Sequence, residues 1–98
     1  MNSDLQNITQ KLKALRKPIR EEYKAEIIGI FGSYVRGEEH PGSDLDILAR
    51  FHQGASIFDL SGLSIFLKEE LKIPVDVVSE RAVRDELRTQ IYQEALML

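Results

Sequence analysis

The sequence has no cysteine, no apolar run of membrane-spanning length and, over most of the chain, few basic residues. Without cysteine the protein has no disulfide bonds and no thiol chemistry, which agrees with the cytoplasmic location that we expect. A transmembrane helix needs about 20 consecutive apolar residues, and no stretch approaches that length, so we expect no membrane insertion. The opening residues, MNSDLQN, lack the pattern of a signal peptide, so we expect no secretory leader.

The net charge of −3 is unevenly distributed along the chain. Residues 1–24 carry six basic and three acidic side chains, whereas residues 25–98 carry seven basic and thirteen acidic ones. Binding to a nucleic-acid backbone depends on clustered lysine and arginine, so we do not expect nucleic acid as a direct ligand. The basic N-terminal segment is interpreted as a solvated helix face, or else as a contact to RNA or to an acidic partner.

Length and composition indicate a single globular domain over residues 1–98. The 98 residues are 43% hydrophobic and 30% charged, which is typical of a chain that buries a modest core. Apolar periodicity and turn residues predict alternating helices and strands, which fits the α/β class (of the α+β type), a small mixed sheet packed by helices. The predicted elements are a first helix capped by Ser3 and Gln6, a short helix at 18–23, strands at 26–31, 45–51 and 74–79, a short helix after Gly32, a helix from Ser56 to about Leu71, and a last helix from about 80 to 98.

Two of these helices carry apolar stripes that predict which side faces the core. Ser56 and Asp59 form a capping pair at the start of the first of them. Its inward stripe is predicted to be Ile57, Leu60, Leu63, Leu67 and Leu71. In the last helix the inward stripe is predicted to be Val83, Leu87, Ile91 and Ala95. A second stripe there, ending in the apolar Leu96–Leu98, is interpreted as a contact surface or as a frayed helix end.

A glycine turn, Gly32-Ser33-Tyr34-Val35-Arg36-Gly37, follows the first predicted strand. Gly32 permits a tight backbone turn, and Ser33 is predicted to cap the next helix, whose free N–H groups suit a phosphate. Arg36 could reach the same phosphate or face solvent. The spacing of Gly32 and Gly37 matches a P-loop, but Glu38 and Glu39 stand where that motif needs Lys and Ser or Thr, so a P-loop is excluded.

An acidic pair, Asp44 and Asp46, opens the second predicted strand. Residues i and i+2 project from the same face of a strand, with Cα atoms roughly 6.6 Å apart. Two carboxylates converging to ~6 Å repel by roughly 2.8 kcal/mol at an effective dielectric constant near 20. Such a pair persists where it faces water or holds a cation, and oxygen ligands suit Mg²⁺ or Mn²⁺. Taken alone, the pair is better explained by Asp44 as a turn residue after Pro41-Gly42 and Asp46 as a solvent-facing residue.

A third carboxylate, Asp76, interrupts the valines of the last predicted strand, Pro74-Val75-Asp76-Val77-Val78. An unpaired carboxylate in an apolar strand is costly, and a metal ion or an arginine would relieve that cost. We favour a metal shared with Asp44 and Asp46. Asp76 is therefore expected on the same cleft as the acidic pair.

Together, Gly32-Ser33 and, after ten intervening residues, Asp44-Leu45-Asp46 resemble the signature of the DNA polymerase β-like nucleotidyltransferase superfamily. Within it, the segments GSYVRGE and SDLDIL are most similar to the minimal nucleotidyltransferases, partners of HEPN toxins in toxin–antitoxin pairs. The resemblance covers about Ile28 to Val78 and a helical tail. It implies a mixed sheet whose acidic face lines an open cleft, with Asp76 as the third carboxylate of the family.

The resemblance also implies an activity, nucleotidyl transfer. Asp44, Asp46 and Asp76 would bind two Mg²⁺ ions (Mn²⁺ could substitute) together with the triphosphate of ATP. Gly32 and Ser33 would hold the β- and γ-phosphates, and Asp76 would help to deprotonate the acceptor. The implied acceptor is a tyrosine hydroxyl of a HEPN toxin, brought by another chain, so that a hetero-oligomer is expected and a homo-oligomer is also open.

Two other functions fit the same sequence. The chain could neutralise a toxin by contact alone, without catalysis, although the retention of all three aspartates speaks against a decayed site. It could also modify a small molecule, as the aminoglycoside nucleotidyltransferases do, but those enzymes usually carry a further domain for the acceptor. Replacing Asp44 and Asp46 distinguishes the first alternative, because a pure binder would still neutralise its toxin.

Overall fold

The structure, a computed structural model, describes residues 3–98 without the side chain of Ser3, so the predicted Ser3–Gln6 capping box lies outside the described residues. The three predicted strands are confirmed to within one residue at each end. The elements are α1 (Ser3–Ala14), α2 (Arg16–Tyr23), β1 (Ala25–Phe31), α3 (Ser33–Arg36), β2 (Leu45–Phe51), α4 (Ile57–Leu71), β3 (Val75–Ser79), a 3-10 turn (Glu80–Ala82), α5 (Asp85–Glu94) and β4 (Leu96–Met97).

The strands form one mixed sheet in the order β3-β2-β1-β4. β1 runs antiparallel to both β2 and β4, whereas β2 and β3 run parallel. Parallel neighbours need a long crossover, and α4 supplies it between β2 and β3. The predicted small mixed sheet packed by helices is thereby confirmed, with β1 as an inner strand whose apolar side chains are used on both faces.

The two faces of the sheet are packed differently. Leu45, Ile47 and Ala49 of β2 are fully buried against α1, α2 and α4, which contribute Leu5, Leu12, Ile19, Leu63 and Leu67 to the main core. On the opposite face a smaller cluster joins Leu48 to Ile28 and Val83, with Ile91 and Tyr92 of α5 packed at its border. Each fully buried leucine contributes about 1.5–3 kcal/mol, so the main core dominates stability. The face with the smaller cluster leaves part of β2 and β3 uncovered.

Helix α4 begins at the predicted capping pair. The Phe58 N–H donates to Ser56 Oγ at 3.2 Å, and the Ser56 N–H donates to Asp59 Oδ2 at 2.8 Å, which confirms the capping box. The prediction that Ile57 packs inward is wrong, because its side chain is 71% exposed in the first turn. At 15 residues α4 is the longest helix over residues 3–98, and none of the helices in this range is long and apolar enough to cross a membrane.

The C-terminal segment differs from the predicted long helix. α5 begins only at Asp85 and ends at Glu94, and Leu96–Met97 forms the edge strand β4 beside β1. The Leu98 N–H donates to the Ile28 carbonyl at 2.9 Å, and Leu96 and Leu98 pack against the main core, so this end is neither a frayed helix nor a free contact surface. Leu87, predicted to face inward, is 47% exposed.

Candidate active site

Asp46 and Asp76 lie side by side on neighbouring strands. The parallel register of β2 and β3 pairs Asp46 with Asp76, and pairs Leu45 with Val75 one residue earlier. Side chains alternate along a strand, and Leu45 and Val75 belong to the main core, so both aspartates project from the opposite face. Neighbouring strands are about 4.8 Å apart, which brings the two carboxylates into one site. The structure thus places the third carboxylate next to the acidic pair.

Asp44 is positioned by the turn that precedes β2. The Ser43 N–H donates to the His40 carbonyl at 2.9 Å, and the His40 N–H donates back to Ser43 Oγ at 2.9 Å. Gly42 completes the turn with a φ of 89°. Next, the Leu45 N–H donates to the Pro74 carbonyl at 2.9 Å, which ties the start of β2 to β3. Asp44 is therefore held, exposed to solvent, at the entrance of the strand that carries Asp46.

The surroundings of Asp46 shift the pKa of its carboxyl group. Burial, and then the charges of Asp76 and Asp44, raise the pKa of Asp46 from 3.8 to about 6, with Arg36 acting in the opposite direction. Asp44 and Asp76 are exposed, whereas Asp46 is half-buried. The expectation that Asp76 bears the cost of a carboxylate in an apolar strand is therefore wrong: that cost falls on Asp46. A cation beside the three carboxylates would lower the same pKa.

The glycine turn packs directly on Asp46. Gly32 adopts a φ of 82° and a ψ of −154°, a region that is essentially restricted to glycine. A Cβ at this position would also overlap Asp46 Oδ2 and lie 3.0 Å from its Cγ. Gly32, and not Ser33 as predicted, is the N-cap of α3, and its carbonyl accepts from the Val35 and Arg36 N–H groups at 3.1 and 3.2 Å.

Ser33 and Arg36 begin and end α3, beside the carboxylates. Ser33 is half-buried, and its carbonyl accepts from the Glu38 N–H at 2.9 Å. Arg36 faces solvent, with its side chain 46% exposed, and it is also paired: Nε is 2.7 Å from Glu38 Oε1 and one terminal nitrogen is 2.8 Å from Glu94 Oε1. The hydrogen bond with Glu38 is the main cause that raises the pKa of Arg36, and the charge of Glu94 acts in the same direction.

Glu94, the last residue of α5, completes the site and was missed by the sequence analysis. Its Oε1 accepts a hydrogen bond from the Gly32 N–H at 2.8 Å as well as the one from Arg36 at 2.8 Å. The side chain is 22% exposed. Glu94 lies 62 residues from Gly32 along the chain, and no local pattern marks it among the polar residues of α5. Because the last helix was predicted to continue to Leu98, the sequence analysis did not predict that Glu94 contacts the Gly32 turn.

The donor set of this site suits a hard divalent cation that brings other ligands with it. Asp44, Asp46 and Asp76 offer carboxylate oxygens, the ligands that Mg²⁺ prefers. Within residues 3–98, no three His, Cys, Asp or Glu groups are already arranged to enclose an ion. Mg²⁺ commonly takes only one or two protein carboxylates and completes its coordination with substrate phosphates. The residues therefore fit a cation that enters together with a phosphorylated substrate.

A separate cavity of about 400 Å³ opens between the first two helices and the edge of the sheet, where Leu12, Ile19 and Ile27 form part of its wall. None of the sequence-predicted site residues lines this cavity. The acidic site lies instead on the open surface of the other sheet face. Its position suits an acceptor group that approaches from outside the chain.

Comparisons with known proteins show the family of the chain. A family model described as a nucleotidyltransferase domain matches residues 12–97. The chain is similar to the protein adenylyltransferase MntA of Thermococcus cleftensis, with 34% identity over 92 residues that cover 94% of this chain and 93% of the relative. Residues 12–97, which the family model matches, contain every residue of the site described above.

Solved structures show the same fold. A structure described as a candidate minimal nucleotidyltransferase superposes with a TM-score of 0.73 and 36% identity, covering 91% of this chain and 94% of that one. A toxin–antitoxin structure with AMP-PNP superposes with a TM-score of 0.67 and 26% identity, covering 82% of this chain and 66% of that chain. The resemblance found in the sequence is confirmed: the chain belongs to the nucleotidyltransferase domain family, whose enzymes use nucleotides as substrates.

Proposed function

We propose that this chain transfers AMP from ATP to a hydroxyl of a partner protein, and that the partner is a HEPN-type toxin modified on a tyrosine. The observation that carries the proposal is the in-register pair of Asp46 and Asp76 beside the Gly32 turn. Two similar proteins support it, since one is named a protein adenylyltransferase and the other is a toxin–antitoxin structure with an ATP analogue. The chain would then act as an enzymatic antitoxin.

The roles of the residues follow from their places. The Gly32 N–H, the Ser33 hydroxyl and the Arg36 guanidinium bind the β- and γ-phosphates, because all three can donate hydrogen bonds to phosphate oxygens. The acceptor oxygen attacks the α-phosphorus, the bond to the β-phosphate oxygen breaks, and pyrophosphate leaves. Asp76, exposed beside Asp46, takes the proton that the acceptor hydroxyl loses. Positioning of this kind can supply much of the rate without a protein nucleophile.

Asp44, Asp46 and Asp76 would hold two Mg²⁺ ions, or Mn²⁺ in their place, together with phosphate oxygens. When bound, the cations stabilise the negative charge that develops on the phosphate and orient the attacking and leaving oxygens. On the protein side, the three carboxylates are held close by β2, β3 and the His40–Ser43 turn, against their own repulsion. That repulsion makes the binding of cations favourable.

The open position of the site supports an acceptor from another chain. Asp44 and Asp76 are exposed, so a side chain on the surface of a partner protein can reach them. None of the three aspartates lines the cavity described above, so that cavity is not placed to hold a small-molecule acceptor for this site. A hetero-oligomer with the toxin and a cytoplasmic location, where ATP is available, belong to the same proposal.

The test is label transfer. The purified protein is incubated with Mg²⁺, each α-labelled nucleoside triphosphate in turn, and an extract of its own host. The Asp44→Ala/Asp46→Ala double variant removes the acidic pair. Asp85→Asn is the matched control, because it removes an aspartate whose side chain is 100% exposed and makes only a 3.9 Å contact with Arg88.

We expect label from ATP on a protein band with the wild type and with Asp85→Asn, and none with the double variant. Label on a small molecule would show that the acceptor is a small molecule and not a protein, as in the aminoglycoside nucleotidyltransferases. The catalytic proposal fails if no protein band is labelled. If the wild type and the double variant nevertheless both neutralise the toxin, the chain is a binding antitoxin.

A further inference from the structure

Glu94 occupies the position that the proposed function assigns to a phosphate oxygen. Its Oε1 accepts from the Gly32 N–H and from the Arg36 guanidinium, both at 2.8 Å. Carboxylate and phosphate oxygens compete for the same donors, since both make short, charge-assisted hydrogen bonds with N–H and guanidinium groups. A phosphate oxygen cannot use the Gly32 N–H in this way while Glu94 remains there.

The helix that carries Glu94 is held to the sheet by few side chains. Residues 84–90 are all exposed, and of α5 itself only Ile91 and Tyr92 join the smaller apolar cluster. The chain is attached to the sheet more firmly on either side of α5, by the buried Val83 before the helix and by the pairing of β4 with β1 after it. Segments with few buried apolar contacts open at low free energy, so α5 can shift between Val83 and β4 and carry the Glu94 side chain away from the Gly32 turn.

We propose that the Glu94 contact is autoinhibitory: it closes the Gly32–Arg36 donor pair in the free enzyme, and the triphosphate of ATP displaces it. The inference rests on the proposed function, because it takes that donor pair as the phosphate site. Glu38 keeps Arg36 in place when Glu94 leaves, since its 2.7 Å bond uses a different nitrogen of the guanidinium. Glu94 also adds negative charge beside Asp46, so its departure favours the entry of the anionic substrate.

The experiment measures the dissociation constant for ATP with Mg²⁺ by titration calorimetry, in wild type, Glu94→Ala and Glu38→Ala. Both substitutions remove one carboxylate partner of Arg36, but only Glu94 also covers the Gly32 N–H. If the contact is closed about nine times in ten, removing it tightens the apparent affinity about tenfold. We expect that tightening for Glu94→Ala and no tightening for Glu38→Ala, which leaves the Gly32 N–H covered by Glu94.

A second measurement uses the wild-type protein alone. Addition of ATP with Mg²⁺ should shift the Gly32 amide resonance and accelerate hydrogen exchange at residues 91–95, because α5 loses its contact with the turn. Unchanged or weaker binding by Glu94→Ala, equal tightening by Glu38→Ala, or unaltered exchange in α5 each overturns the inference. If wild type binds ATP in those cases, the proposed function stands. If no form binds ATP, both fail.

Discussion

Gly32 and Asp46 are packed so closely that the site has no room for a Cβ at position 32. The added atom would overlap Asp46 Oδ2. We therefore expect Gly32→Ala to displace the Asp46 carboxylate and to abolish nucleotidyl transfer. The substitution should also cost about 1–3 kcal/mol of stability, because alanine is strained in the backbone conformation of this residue. Thermal unfolding and label transfer measure the two effects.

Gly54→Ala is the control for that variant. Gly54, in the loop after β2, also has a positive φ, of 91°, but nothing lies within 4 Å of a Cβ placed there. It should therefore lose stability for the backbone reason alone and keep most of its activity. Equal loss of transfer in the two alanine variants would show that backbone strain, and not contact with Asp46, accounts for the effect.

The second prediction concerns the charge of Asp46. Asp46→Asn keeps the shape of the side chain and removes a carboxylate that two other aspartates repel. Transfer should fall by at least about 100-fold, as expected when a group that acts on the charged transition state is lost. The fold should remain, with a melting temperature no lower than that of the wild type. Asp85→Asn should change neither quantity, and retained transfer in Asp46→Asn would refute the assignment of Asp46 to cation binding.

The third prediction is a pH dependence of stability in cation-free protein. In the folded chain the pKa of Asp46 is about 6, whereas its ordinary value is 3.8. Between these values the folded state binds more protons than the unfolded state, so the free energy of unfolding falls as the pH rises. The contribution is fully present below about pH 4 and is lost above about pH 6, which is the reverse of an aspartate in an ion pair.

Urea unfolding at pH 5.0 and pH 7.5, in wild type and Asp46→Asn, measures this effect. Other groups titrate in both proteins, so the difference between the two pH profiles isolates Asp46. Wild type should lose more stability than the variant on going to pH 7.5. Parallel profiles would mean that neither burial nor the charges of Asp76 and Asp44 raise the pKa of Asp46 in the folded protein.

Local patterns predicted the parts of this site that depend on neighbours in sequence. The two-residue period of β2 separated Leu45 and Ile47 from Asp46, and the structure shows the same division between core and open face. The capping pair at Ser56 followed from short-range hydrogen bonding in the same way. In each case the geometry is set within a few residues, so the sequence contains the whole signal.

The parts that were missed depend on contacts far apart in sequence. The Gly32 N–H donates to Glu94 although 62 residues separate the two, and no local sequence pattern near Glu94 indicates this contact. The apolar Leu96–Met97 could continue a helix or form a strand, and pairing with the distant β1 decides between them. The valine neighbours of Asp76 indicated a buried strand and so predicted that Asp76 bears the cost of burying a carboxylate. In the structure the side of β3 that carries Asp76 is uncovered.

The last prediction uses the edge where β4 joins β1. A Cβ at Gly29 would lie 2.8 Å from the Leu96 carbonyl oxygen and 3.4 Å from Met97 Cα, which are backbone atoms that can move only with the strand. Gly29→Ala should therefore push β4 away from β1 and cost about 1–3 kcal/mol of stability, as overpacking does. The Leu98 N–H, bonded to the Ile28 carbonyl at 2.9 Å, should then exchange with solvent faster than in the wild type.

Gly62→Ala is the comparison for this variant, because the new Cβ would meet the ring of Tyr23 at 3.0 Å, on the other side of the sheet from α5. It should leave exchange at Leu98 unchanged. β4 also anchors the end of α5, so Gly29→Ala should weaken the contact between Glu94 and Gly32 and accelerate exchange of the Gly32 N–H as well. Faster exchange at Leu98 without any change at Gly32 would show that Glu94 is held by α5 alone and not by the strand that follows it.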